Sequence, residues 1–242
     1  MRRLPGARLT AALVLAAAGA AGCTNLFHSD AKPEQTYVLR APSAGTTGTA
    51  LADGAAGTDS ATGTDGAAAA AAPPAAPLAA IQVAHPLAAP GLEGPHIILV
   101  QADHRMNFYL GSRWPVPLPD MVESLAVETL RATGEWRSVQ DSGSPFIPQY
   151  LLSISVRRFE ADYTRARSAP QVEVVLDCTL GAREGRELVA SFVAQGSATA
   201  AGDHMSEVVA AFETASSAAL SSMSSQAVAA ARASAARSAA GR

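Results

Sequence analysis

Three runs of apolar–polar alternation in the C-terminal half constrain this chain more than any other feature. Tyr150, Leu152, Ile154 and Val156 alternate with Leu151, Ser153, Ser155 and Arg157. Val172, Val174, Leu176, Cys178 and Leu180 alternate with Glu173, Val175, Asp177 and Thr179. Leu188, Ala190, Phe192 and Ala194 continue the pattern. Successive strand side chains point to opposite faces, so a period of two marks strands with one buried face. Ala182-Arg183-Glu184-Gly185-Arg186 reads as a hairpin loop. The segment is therefore an antiparallel meander and not a series of βαβ units.

A sheet buried on one face needs a cover, and two helical patterns supply it. Leu118, Met121, Val122, Leu125 and Leu130 share one helical face. Pro115, Pro117 and Pro119 turn the chain into that helix, where a missing N–H costs nothing. Gly134 is placed to stop it. Met205, Val208, Val209, Phe212, Ala219, Leu220 and Met223 share a face of a final helix, with Asp203 as its expected cap. Shorter strands are expected at Ile81 and Val83, Ile97 to Val100, Met106 to Leu110 and Trp136 to Val139. The fold class is α+β: an antiparallel β-sheet with two helices packed on one face.

The other end of the chain carries an export signal. Arg2, Arg3 and Arg8 precede an apolar stretch from Leu9 to Ala21, broken only by Thr10, and then Gly22 and Cys23. A basic start, a short apolar run and a small-residue exit form a cleavable leader. The run is too short for a hydrocarbon core, which takes about 20 residues. Small residues before a cysteine resemble the bacterial lipobox, so residues 1–22 are read as a lipoprotein signal peptide. Cys23 is the acylation site, carrying palmitate-type chains that hold the terminus in a membrane. Thr24 stands where an Asp commonly retains enterobacterial lipoproteins at the inner membrane. Its presence points to the periplasmic face of the outer membrane.

Residues 23–35 form a lipidated tether, and 36–40, Thr36-Tyr37-Val38-Leu39-Arg40, a first strand. Residues 41–80 are mostly Ala, Gly, Thr, Pro and Asp with almost no large apolar residue, bury too little to offset ordering entropy, and read as disordered linker. The main domain runs over 81–228. Residues 229–242 are an Ala/Ser/Arg-rich tail that extends the helix weakly or frays, with Arg232, Arg237 and Arg242 solvated.

Composition excludes several functions. A net charge of -3 suggests neither nucleic acid nor a strongly acidic substrate as partner. Cys178 is the one cysteine besides Cys23. With Cys23 acylated no internal disulfide can form, and Cys178 reads as a buried structural thiol. His28, His85, His96, His104 and His204 lack metal-ligand spacing. His104 beside Asp103 reads as a loop pair. Glu123 and Glu128 are not aimed together on their helix, and Glu184 and Glu187 flank a hairpin. There is no Gly-x-Ser-x-Gly elbow and no phosphate-binding Gly-Lys-Ser/Thr loop. The chain reads as a non-enzyme without cofactor or metal. Tyr109, Arg113 and Trp114 are the candidate partner-binding residues, since aromatics and Arg concentrate at interface hot spots. Phe108 and Tyr109 serve equally well as core cover, and so does Trp114 before its helix.

These elements in order resemble the ABC-type transport auxiliary lipoproteins, the PqiC-like family. A lipobox is followed by Tyr37-Val38-Leu39; Asn107-Phe108-Tyr109 and Ser112-Arg113-Trp114 precede the helix start Pro117-Leu118. Tyr150-Leu151-Leu152 opens a strand ending in Arg158-Phe159-Glu160. The likeness covers about Tyr37 to Gln226, and the linker and the tail depart from it. It implies an outer-membrane accessory subunit of an envelope lipid transporter. Its partners would be a periplasmic protein of the mammalian-cell-entry (MCE) type with its permease and ATPase. The lipoprotein would dock that periplasmic component against the outer membrane, and a ring-like homo-oligomer is compatible with the resemblance. The alternative is a scaffold lipoprotein for lipopolysaccharide or outer-membrane protein assembly.

Overall fold

The computed structural model describes residues 33–42, 76–165, 168–183 and 186–240. The leader, Cys23 and most of the linker lie outside the described residues. The chain divides into two units, Met1–Glu34 and Gln35–Arg242, and the sheet and both helices belong to the second. In chain order its elements are β1 (Gln35–Thr36), β2 (Ile81–Val83), β3 (Leu87–Ala88), β4 (His96–Val100), β5 (Met106–Arg113), α1 (Leu118–Ala132), β6 (Val139–Gln140), β7 (Tyr150–Asp162), β8 (Gln171–Ala182), β9 (Glu187–Thr199) and α2 (Met205–Ala240).

β7 is the axis of the sheet. Along one edge β8 pairs antiparallel over its whole length, with Tyr150 opposite Ala182 and Asp162 opposite Gln171. β9 then pairs antiparallel with β8. Along the other edge β2, β3 and β4 line up one after another, all parallel to β7: Ile81 opposite Tyr150, Leu87 opposite Ser155, Ile98 opposite Glu160. β5 returns antiparallel to β4, β1 joins β5 in parallel, and β6 joins β2 in parallel.

The architecture is α+β, as the alternating runs imply. Antiparallel pairing is confined to the meander and the β4–β5 pair, and the remaining joins are parallel. The reason is physical. The chain from Ile81 to Val100 tracks along β7 in the direction of β7, in pieces of two to five residues. Pieces that short carry no readable direction. β1 is shorter and earlier than the expected 36–40, although Tyr37 N–H still donates to the Arg113 carbonyl (2.9 Å) and Leu39 is buried. Trp136 makes an isolated parallel bridge to Leu78 instead of opening a strand. Leu78 is itself buried, so the packed region begins ahead of Ile81.

Both helices cover the inner face. Leu118, Met121, Val122, Leu125 and Leu130 of α1 are buried. Gly134, at φ +66°, follows its C-terminus and donates its N–H to the Arg131 carbonyl; only a residue free to adopt positive φ ends a helix this way at no cost. In α2 the buried line runs through Val208, Phe212, Leu220 and Met223 and continues beyond 228 to Ala231 and Ser234. Asp203 is not the cap expected of it: its carboxylate accepts from the Tyr163 hydroxyl, while Glu207 reaches back to the His204 N–H (3.2 Å).

Small residues set how closely α2 lies on β9. Gly196 faces the helix backbone so tightly that a Cβ there would stand 2.1 Å from the Ala215 carbonyl oxygen. Cys178 is buried among the sheet's inner residues, and burial, followed by the charge of Asp177, pushes its thiol up to about 12. It is an inert structural thiol.

Candidate partner-docking surface

The three candidate docking residues, Tyr109 and Arg113 in β5 and Trp114 just after it, differ in exposure. Trp114 is only 1% exposed. Its indole packs edge-on to Phe159 (ring centroids 6.0 Å) and Phe212 (5.4 Å), joining sheet to α2. This corrects its candidacy: no partner reaches Trp114 unless the core opens. Arg113 is half-buried, and its Nε donates to the Trp114 carbonyl (3.3 Å). Tyr109 is half-buried in the middle of the strand.

Between Phe108 and Arg113, β5 carries extra residues relative to β4: Ile98 pairs with Phe108, but His96 already pairs with Arg113. Gly111, at φ +70°, takes up the bend. The bulge re-aims side chains and leaves Leu110 86% exposed. Met106 and Phe108 are also exposed, and the Phe108 ring stacks on His96 at 4.7 Å. Val38 is exposed as well. The result is an apolar strip along β5, of the kind that marks interaction sites.

Beside the strip lies an open pocket of about 740 Å³, lined by residues including Leu99, Arg105, Tyr109, Tyr163 and Asp203. Tyr109 and Tyr163 hydroxyls share a hydrogen bond (2.8 Å), and Tyr163 donates to Asp203. Burial, then the hydrogen bond between them, raises the Tyr109 hydroxyl. Burial, then Asp203, pushes Tyr163 up to about 12. Both phenols therefore keep their protons and act as fixed donors in a polar chain that ties β5 to the start of α2. Asp103 bonds to Arg105, not to neighbouring His104.

One pair was invisible in the sequence. His85 Nδ1 lies 3.0 Å from Glu123 Oε2, and Glu123 Oε1 accepts the Ser142 N–H at 2.7 Å. These residues are 38 and 19 positions apart, and only the fold brings them together. The arrangement fastens the loop after β6 to α1. Among the described residues no cluster of three or more His, Cys, Asp or Glu could hold a metal ion, and no helix is long and apolar enough to cross a membrane.

Comparison with known proteins follows this geometry. A Xanthomonas campestris protein of the DUF330 family, solved by crystallography, shares 26% identity over 67% of this chain and 92% of its own, with a TM-score of 0.62. A second solved protein, itself uncharacterised, is 14% identical over 61% of this chain and 90% of its own, with a TM-score of 0.51. No curated protein matches the chain. Residues 64–230 match the family described as the ABC-type transport auxiliary lipoprotein component. The match spans the β2-to-α2 body that carries the exposed apolar strip, and on it the chain belongs to the ABC-type transport auxiliary lipoproteins.

Proposed function

We propose that this auxiliary lipoprotein is anchored through Cys23 at the periplasmic face of the outer membrane. There it docks an MCE-type periplasmic protein, served by its own permease and ATPase, and so completes an envelope lipid-transport system. Family membership over residues 64–230 is the observation that carries the reading. The Cys23 lipobox and Thr24 support the site of anchoring. The exposed strip of Met106, Phe108 and Leu110, with Tyr109 and Arg113 beside it, is the docking surface in this reading. Its role is recruitment, not bond chemistry. The outer edge of β9, which among the described residues pairs only with β8, offers backbone groups through which copies of the chain join as a homo-oligomer in this reading.

Affinity capture of the membrane-anchored protein after mild crosslinking in its own cells tests this. Enrichment of an MCE-domain protein with its permease and ATPase is expected. Recovery of only an outer-membrane barrel would replace the transport role with the assembly-scaffold one.

A further inference from the structure

The end of the sheet where β7 begins combines exposed arginines with exposed apolar side chains. In the loop between β6 and β7, Phe146 is 72% and Ile147 is 80% exposed. Their exposure is not looseness. Pro145 and Pro148 fix the backbone on either side. Ser142 N–H is held by Glu123, Gly143 N–H by Asp141 Oδ1 (3.0 Å), and Ser144 Oγ donates to Gln140 Oε1 (3.0 Å). A braced loop thus presents two large apolar side chains to solvent.

Backbone and side-chain contacts bring arginines from four separate elements to this same end. Arg183 N–H donates to the Gln149 carbonyl (2.9 Å), at the foot of β7, its guanidinium donates to Gln82 Oε1 (3.3 Å), and Arg186 follows in the same hairpin. Arg137 N–H donates to Leu78 (2.8 Å), two residues from the Ala80 carbonyl that receives Tyr150 N–H. Arg131 ends α1 with its guanidinium on the Val139 carbonyl (3.0 Å). The C-terminal part of α2 arrives here through the Tyr150 hydroxyl on the Ala231 carbonyl (3.4 Å), with Arg237 further along. All five of these arginines are exposed, and the described anions nearby are Asp120, Glu123, Glu128, Glu135, Asp141 and Glu187, those on α1 gathered with Asp141 around Arg131. Arg232 pairs with Glu135. The opposite end, where β7 finishes, carries Asp103, Glu160, Asp162, Glu173, Asp203 and Glu207, against Arg105 paired to Asp103, Arg158 paired to Glu173, and Arg165.

We propose that the end at which β7 begins contacts an anionic phospholipid surface, with Phe146 and Ile147 entering the headgroup–acyl boundary and Arg137, Arg183 and Arg186 lying over phosphates. A broad anionic surface is the partner that engages cations from four elements at once. Apolar insertion joined to electrostatic attraction is the combination that holds a protein in a membrane interface. The proposal rests on the lipid-anchored reading and adds an orientation to it: the acidic end and its pocket then point away from the bilayer.

The test uses the full-length lipidated protein with Ile147→Cys, or separately Leu110→Cys, labelled with an environment-sensitive thiol dye. Cys178 is buried and its thiol raised, so it stays unlabelled. Each protein is reconstituted into vesicles of phosphatidylethanolamine and phosphatidylglycerol with brominated acyl chains, or into brominated phosphatidylcholine vesicles. Quenching at 147 by about twofold or more in anionic vesicles, weaker quenching in zwitterionic ones and little at 110 are expected. Arg183→Glu with Arg186→Glu should abolish the anionic preference. Protein that floats with the vesicles yet shows no quenching at 147, or equal quenching at both positions, overturns the proposal and leaves the anchor standing. Protein that fails to float with the vesicles removes the anchor reading itself.

Discussion

Gly196 stands where α2 crosses β9. A methyl group there would press on backbone atoms of Ala215 and Ala219, at 2.1 and 2.8 Å, and a helix backbone cannot rotate aside as a side chain can. Gly196→Ala should therefore force the helix off the sheet and cost about 1–3 kcal/mol. A loss of roughly 2–10 °C in melting temperature would follow for a domain this size. Gly143→Ala, whose Cβ would meet only the Asp141 side chain at ordinary distance (3.5 Å), is the control that should leave melting unchanged. Glu123 gives a prediction with a pH signature. Burial raises its carboxyl, but the Ser142 N–H and His85 outweigh that and hold it below the ordinary 4.5. A carboxyl lowered in the native state releases its proton more readily folded than unfolded. Its contribution is thus present above the unfolded pKa and lost as pH falls through the native one. Glu123→Gln should lower the urea midpoint at neutral pH, and the gap to the parent protein should close as pH is taken well below 4.5. A gap independent of pH would show that shape, not charge, holds the loop.

At the scale of elements, what could be read in advance follows from pattern length. β7, β8 and β9 run to 12 or 13 residues each, enough for period two to declare strand and buried face, except that Leu188, read as inward, is 62% exposed where β9 opens at the register shift opposite Leu180 and Gly181. α1 was equally plain, because its buried line is built of Leu, Met and Val. The parallel strands β2, β3 and β4 were not, since direction is set by pairing along β7 and not by local sequence. α2 was read only as far as its large side chains go. Beyond Val228 the packed residues are Ala231 and Ser234, which look like a tail in sequence yet lie buried. Alanine is a strong helix former, and small side chains let the helix run close to Tyr150, whose hydroxyl reaches the Ala231 carbonyl. Ending the chain after Val228 should accordingly cost about 1–3 kcal/mol by urea denaturation. Ending it after Ser238 should stay within about 0.5 kcal/mol of the intact protein. Equal midpoints for the two truncations would mean that the last turns add nothing.

Across the whole molecule the candidate site was legible only in part. Aromatic and Arg content drew attention to β5, but the sequence could not say that Trp114 turns inward while Leu110 turns out. That division comes from the bulge at Gly111, a register effect with no local signature beyond the glycine itself. It moves the weight of the docking reading from Trp114 to Phe108 and Leu110. Both side chains are exposed, so replacing them should scarcely alter stability, whereas Trp114→Ala should cost about 3–5 kcal/mol and disturb everything. If the strip receives the MCE-type partner, it supplies the apolar centre of that interface, where a few residues carry most of the affinity. Phe108→Ser combined with Leu110→Ser should then cut partner capture by roughly tenfold or more. Vesicle binding and the melting temperature should stay at parental values. Undiminished capture by this double variant, with Arg113→Ala also inert, would place the docking surface elsewhere. A fall in capture that tracks a fall in melting temperature would mean the strip supports the fold instead. Capture, flotation and melting measured on one set of variants separate a docking role from an anchoring or a structural one.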